Sequence, residues 1–271
     1  MFGLFIGFKN INYTKGIWGS DWCGFDNFKF FFTSQDAFRV TRNTILYNLA
    51  FIVIGLGLAI VIAMVLYELS ARFVKVFQTA LFVPYFLSWV VVGFVSYIFL
   101  NPASGILNQI LEAVGGHGIN WYANKKAWPF ILTIAYLWKN VGYNAIIFYT
   151  GLMGIDSSLF EAAELDGASK MQQRWYVTLP MLKTLIIVMV VLAVGKIMFA
   201  DFGLFYFIGR DTGMIYSAID VIDTYVYRAL RVTGDIGMSA AITFYQSIVG
   251  FLLVVGTNLI IRKVSPEDAL F

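Results

Sequence analysis

The sequence predicts an all-α membrane protein: a helical bundle with five full spanning helices and the end of a truncated first one. Three observations carry that expectation. The 271 residues are 59% hydrophobic and only 13% charged, against about 45–50% apolar and about 25% charged in a soluble domain. Five apolar stretches each reach the roughly 20 residues that a spanning helix needs. No alternation of period two runs through them, as lipid-facing and lumen-facing barrel residues would require.

The elements follow in chain order. MFGLFIGF (residues 1–8) is apolar but too short to cross a bilayer, and it lacks the layout of a signal peptide. It is expected to be the end of a helix whose beginning is absent. Residues 9–42 are aromatic and mixed in charge, so 1–42 reads as a helix end plus an extracellular segment. Residues 43–271 read as the core domain. Its expected spans are 43–67, 77–100, 128–153, 181–208 and 240–261. Between 101 and 127, Pro102 and Ser104 look like a helix start and Gly115-Gly116 like a stop, predicting a short interfacial helix. Lys and Arg in the shorter segments (Arg72, Lys75, Lys170, Arg174, Lys183, Arg262, Lys263) favour the cytoplasmic side for those connections.

Composition also excludes functions. A net charge of +3 is too small to argue for nucleic acid. Cys23 is the only cysteine and His117 the only histidine, which leaves no disulfide within the chain and no zinc site. No Gly-x-x-x-x-Gly-Lys-Ser/Thr phosphate loop occurs, so ATP hydrolysis is not expected in this chain. Gly55-Leu56-Gly57 inside a span reads as close helix packing.

The most informative stretch is polar. EAAELDGASKMQQRWYVTLP, residues 161–180, carries Glu161, Glu164, Asp166, Lys170 and Arg174 between two apolar runs. Ser158-x-x-Glu161 has capping-box spacing, with Asp156 and Ser157 as alternative caps. A short helix is expected over 159–166, stopped at Gly167. A second is expected over 168–177, with Pro180 in the first turn of the next span. By composition alone this could be an amphipathic loop lying on the membrane.

The pattern of Glu161-Ala162-Ala163, Gly167, Val177, Leu179 and Pro180 resembles the EAA loop of permease subunits of type I ABC importers. Val177 stands where Ile is commoner in that family. Asp166-Gly167-Ala168 is similar to its carbohydrate branch, and the tail 261–271 resembles the short cytoplasmic stub of polysaccharide-type permeases. The resemblance covers the chain from about residue 40. It implies a multi-pass protein of the bacterial plasma membrane, one half of a heterodimer with a second permease subunit. It further implies two ATPase subunits, which bind ATP and Mg, and an extracellular lipid-anchored solute-binding protein. The loop at 154–180 would be cytoplasmic, and 159–167 would seat in the ATPase. Glu161, Ala162, Ala163, Asp166, Gly167, Leu179 and Pro180 would carry that coupling.

Polar residues inside spans are the other candidates, because they are expensive there and usually face a cavity or each other. Lys139 and Asn140, with Asn144 one turn on, share a span. Lys139 either lines a path or snorkels to the interface. Lys196 and Asp201 either line the path or form an ion pair between helices. Trp89, Tyr97, Trp138, Tyr245 and Gln246 complete the candidate sugar path, since aromatic faces stack on sugar rings while amides and charges bond hydroxyls. Residues 209–238 read as a long extracellular loop near the docked solute-binding protein, or as a solvated re-entrant segment. An ion-coupled secondary carrier, with Lys139, Lys196 and Asp201 as a relay, is the alternative function. Against it, the Glu161–Pro180 pattern has no second copy, as a carrier built from repeats would show. A membrane glycan-modifying enzyme using Asp220 and Asp223 has no supporting motif.

Overall fold

Two sharp breaks in long apolar stretches shape this protein. A computed structural model describes residues 2–268; Met1 and the last three residues of the expected C-terminal stub, 269–271, lie outside the described residues. The helices α1 (Gln35–Glu68), α5 (Trp128–Met153) and α10 (Ile236–Val264) are continuous. Helix α1 starts well before the expected 43, so residues 35–42 are helical rather than part of a loop. Helix α5 has the expected bounds.

The other two spans are interrupted. The stretch 77–100 is divided between α2 (Ala71–Phe86) and α3 (Trp89–Leu100), whose axes differ by 98°. Pro84 sits in the last turn of α2 and Ser88 caps α3, accepting from the Val91 amide. The stretch 181–208 is helical only as α8 (Lys183–Gly195), followed by an irregular passage and a π-turn at Leu204–Ile208. Upstream, Lys170–Met181 meets α8 at 61°. By length and apolarity, α1 and α10 can each cross a membrane, and each bent pair can form one more span. Thr133, Lys139, Asn140 and Asn144 dilute the apolarity of α5. The short helix expected near 106 is present as α4 (Ile106–Ala113), with Gly115 at φ +84° beyond its end. One small departure from an all-α fold is the two-residue antiparallel pair β1 (Lys9–Asn10) and β2 (Asp21–Trp22).

The chain forms two compact units. The first comprises residues up to Leu49, Ser88–Thr133 and Gly195–Leu253. Its core gathers Phe31, Val40, Met198, Ile222, Met238 and Ile242. Residues 209–238, for which a solvated re-entrant segment was one of two readings, are packed into it: Ile215, Ile219, Val221 and Ile222 are buried. They form a short helix, α9 (Ile222–Arg228), and its flanking turns. Two of the acids there, Asp211 and Asp220, are neutralised by Arg39 and Arg228. Buried Asp220 accepts from Arg39 (3.3 Å) and Arg228, and Arg228 also reaches Asp211 at 3.1 Å.

The second unit comprises Ala50–Leu87, Ile134–Val194 and the residues from Val254 on. Ala59 and Ala63 of α1 pack with Val141, Ala145, Phe148 and Leu152 of α5, small residues allowing close helix approach. The tightest approach is at Gly142, where a Cβ would lie 1.9 Å from the Leu81 carbonyl oxygen of α2. Gly55 faces Leu137 and Tyr136 as expected, whereas Gly57 has open space.

Candidate functional site

The polar insert folds from local rules. Helix α6 (Ser157–Leu165) starts one residue after Asp156, whose carboxylate accepts from the Ser158 amide at 2.9 Å. Asp156 is therefore the cap, in place of Ser158. The helix ends at Asp166 and Gly167. Gly167 has φ +77°, its N–H donates to the Glu164 carbonyl (3.0 Å), and the Ala168 N–H donates to the Ala163 carbonyl (2.9 Å). This pair of bonds is the Schellman stop, which requires a left-handed residue at the glycine position.

Beyond the stop, Ser169 and Gln172 close a reciprocal capping box on α7 (Lys170–Gln173). The expected helix over 168–177 is thus shorter, and a π-turn, Arg174–Thr178, replaces its second half. Leu179 and Pro180 follow in a short helical turn, Leu179–Met181, with Pro180 where no N–H is needed. Lys170 pairs with Glu164, and its ammonium holds the Glu164 carboxyl below the usual carboxylate range.

Of the residues predicted for this site, Glu161, Ala162, Asp166, Gly167 and Pro180 are exposed, and Ala163 and Leu179 half-buried. Leu165 is 90% exposed, with Leu159, Met171, Trp175 and Tyr176 also open. Phe160 turns inward, onto Tyr67, with ring centroids 5.7 Å apart. A cleft of about 550 Å³ lies behind, lined by Tyr67, Glu68, Phe160, Glu161, Lys170 and Arg174. Arg174 and Glu68 form a bidentate ion pair there. Sequence reasoning did not find this pair, because its two members lie 106 residues apart.

The path candidates do not form one cluster. Trp89 and Asp201 do meet: the indole N–H donates to the carboxylate at 2.6 Å. The other Asp201 oxygen accepts from the amides of Gly203 and Leu204. The expected Lys196–Asp201 ion pair is not formed among the described residues; Lys196 is exposed. Gln246 is buried and donates to the Met198 carbonyl at 2.6 Å. Tyr245 packs against Phe31 and Phe32, and Tyr97 lies under Arg210. Lys139 does not snorkel: it is buried, and its ammonium donates to the carbonyls of Tyr85 (2.6 Å) and Pro84 (3.5 Å). Asn140 bonds back to Tyr136 of its own helix, Asn144 is half-buried, and Trp138 is half-exposed.

Several of these side chains serve the two breaks. Carbonyls freed where a span is interrupted need partners in a lipid setting. At the first break Lys139 supplies them. At the second, Asn48 donates to Ile197 and Phe199 (2.8 and 3.1 Å), Gln246 to Met198, and Asp223 accepts from the Ala200 amide (2.7 Å). Asn48 was not among the predicted site residues, and Asp223 was considered only as one acid of the glycan-modifying alternative; hydropathy does not mark where this second span breaks.

Comparison with known proteins agrees with this architecture. The family model described as "Binding-protein-dependent transport system inner membrane component" matches residues 51–266. Protein LplB of Bacillus subtilis (strain 168) is 31% identical, over 98% of this chain and 84% of its own length. The polygalacturonan/rhamnogalacturonan transport system permease protein YteP of the same organism is also 31% identical, over 98% and 83%. Among solved structures, a bacterial ABC transporter involved in the import of the acidic polysaccharide alginate superimposes with a TM-score of 0.88. That match is 26% identical and covers 97% of this chain and 88% of the other.

Proposed function

The chain belongs to the family of binding-protein-dependent transport system inner membrane components, and from that premise we propose how it works. It is one permease half of an ATP-driven importer of an oligosaccharide or polysaccharide fragment, working in the plasma membrane. A second permease subunit completes the translocation path. Two ATPase subunits bind ATP and Mg, and a lipid-anchored solute-binding protein delivers the sugar. The permease names and the alginate importer among its relatives support the carbohydrate substrate.

The observation that carries the coupling role is the exposed face of α6, fixed at both ends by Asp156 and Gly167 and backed by the Arg174–Glu68 pair. A short helix that exposes Leu159 and Leu165 beside Glu161 offers an apolar contact with a charge at its edge. It would seat in the ATPase on the cytoplasmic side. Closure of the ATPase pair would displace α6, and the Arg174–Glu68 link would pass the displacement to α1. Import is then a rigid-body switch between two packed states. Glu161, Ala162, Ala163, Asp166 and Gly167 form or stop the docking helix, while Leu179 and Pro180 restart the chain into α8.

Membrane vesicles carrying the complete importer test this reading. ATP should drive oligosaccharide uptake, and collapsing the ion gradients should leave it unchanged. Uptake that follows an ion gradient and ignores ATP would instead establish the secondary carrier.

A further inference from the structure

Resting on the oligosaccharide-importer reading, we propose that a cleft at Arg210 binds the carboxylate of an acidic sugar residue, and that Arg210 selects for uronate-containing substrates. Arg210 and Asp211 have φ of 53° and 45°, two consecutive non-glycine residues in the left-handed region. Each costs about 1–2 kcal/mol and persists only where the surroundings hold it.

Asp211 is so held: its Oδ1 accepts from Arg228 Nη1 (3.1 Å) and from the Tyr216 hydroxyl (2.7 Å). The turn sets the Arg210 guanidinium over Tyr97, with Cζ 3.9 Å from the ring centroid. Arg210 is exposed, so its N–H donors are within reach of a ligand from solvent. Among the described residues Arg210 has no carboxylate partner, and the charge of neighbouring Asp211 is already met by Arg228. The cleft beside it, about 260 Å³, is lined by Val90, Phe94, Tyr206 and Phe207 together with Arg210 and Asp211. That is below the roughly 300–1,000 Å³ of drug-sized sites, the scale of one sugar ring.

The ligand chemistry follows from these parts. A planar fork of donors matches a carboxylate in a bidentate pair. Aromatic side chains beside it accept the C–H face of a pyranose. A neutral sugar would offer the fork no charge-assisted bidentate partner. A lipid phosphate presents the same oxygen pair, but it would not need a ring-sized aromatic cleft.

The probe is trigalacturonate, compared with its methyl ester, titrated against the assembled importer in nanodiscs with intrinsic tryptophan fluorescence as readout. The wild-type complex should bind the acid at least about tenfold more tightly than the ester, as charge-assisted bonds predict. Arg210→Asn keeps a residue that tolerates a left-handed backbone and should erase that preference. Arg210→Lys keeps the charge but not the fork and should retain only part of it. Both variants are read as complexes containing their partner subunits, which separates binding from misfolding. Equal binding of acid and ester by the wild type, or a preference that survives in Arg210→Asn, overturns the carboxylate site. So does native mass spectrometry in which Arg210→Asn loses bound phosphatidylglycerol while the sugar preference stands. ATP-driven uptake of neutral oligosaccharide without acid preference removes this site alone. Absence of any ATP-driven oligosaccharide uptake removes the importer reading and this site with it.

Discussion

Arg174 grips Glu68 with two parallel bonds, Nε to Oε1 at 2.8 Å and Nη2 to Oε2 at 2.6 Å, joining the π-turn after α7 to the last residue of α1. Both side chains are about one-third exposed, so the pair contributes only about 0.5–1 kcal/mol to stability. Its predicted importance is mechanical. Arg174→Glu should leave the protein in the membrane at near-normal level while cutting uptake severalfold. The exchange Glu68→Arg with Arg174→Glu should restore most of it. Uptake rate against immunoblotted membrane level measures both, and an exchange variant no better than the single one contradicts the link.

Gly167 isolates a backbone effect. A Cβ there would touch nothing within 4 Å, so any penalty comes from φ +77°. Alanine should cost about 1 kcal/mol, asparagine less and valine more. Uptake should fall in the order Gly, Asn, Ala, Val, with protein level little changed. Normal transport by Gly167→Val would remove the need for this stop.

Gly142 and Gly57 form a contrasting pair. A methyl at Gly142 meets the Leu81 carbonyl oxygen at 1.9 Å, whereas Gly57 has open space. Gly142→Ala should destabilise by about 1–3 kcal/mol or more as α2 and α5 are forced apart. Gly57→Ala should stabilise by about 0.5–1 kcal/mol through helix propensity. Thermal unfolding of the purified protein in detergent distinguishes the two.

Asp223, in the segment that connects the irregular passage to α10, gives a pH dependence. Burial pushes its carboxyl up to about 6, against hydrogen bonds from Ala200 and Gln246 that pull the other way. A folded-state value above the unfolded 3.8 means that the stabilising contribution is full below about pH 4 and is lost as pH rises through 6. At neutral pH the buried charge costs roughly 3 kcal/mol. Asp223→Asn keeps an acceptor for the Ala200 amide and has no such titration. The variant's advantage in melting temperature over wild type should therefore shrink as pH falls from 7 to 4. A constant difference would contradict the assignment.

The parts of this protein that obey short-range rules were legible in its sequence. Gly167 after an alanine-rich turn, Pro180 before an apolar run, and the bounds of α5 all follow from residues within a few positions of one another. The breaks were not legible. Residues 77–100 are mostly apolar, so hydropathy hides a 98° bend that Pro84 and Ser88 alone hint at. The expectation that Lys139, Asp201 and Gln246 line the path rested on their polarity within spans and did not foresee their contacts at the breaks. Lys139 and Gln246 pair with carbonyls at the breaks, and Asp201 holds Trp89 across them. The segment 209–238 looked solvated because it is charged, but Asp220, Arg39, Arg228 and Asp211 cancel one another inside a packed unit. Such cancellation is a property of long-range pairing.

The most direct test of the central claim is affinity purification of the tagged chain from its native membrane in mild detergent, with mass spectrometry of the eluate. The predicted result is an ATPase and a second polytopic permease with the wild-type chain, and loss of the ATPase alone when Glu161 is changed to Lys. A wild-type chain that elutes by itself, or a Glu161→Lys variant that retains the ATPase in full, would contradict coupling through α6.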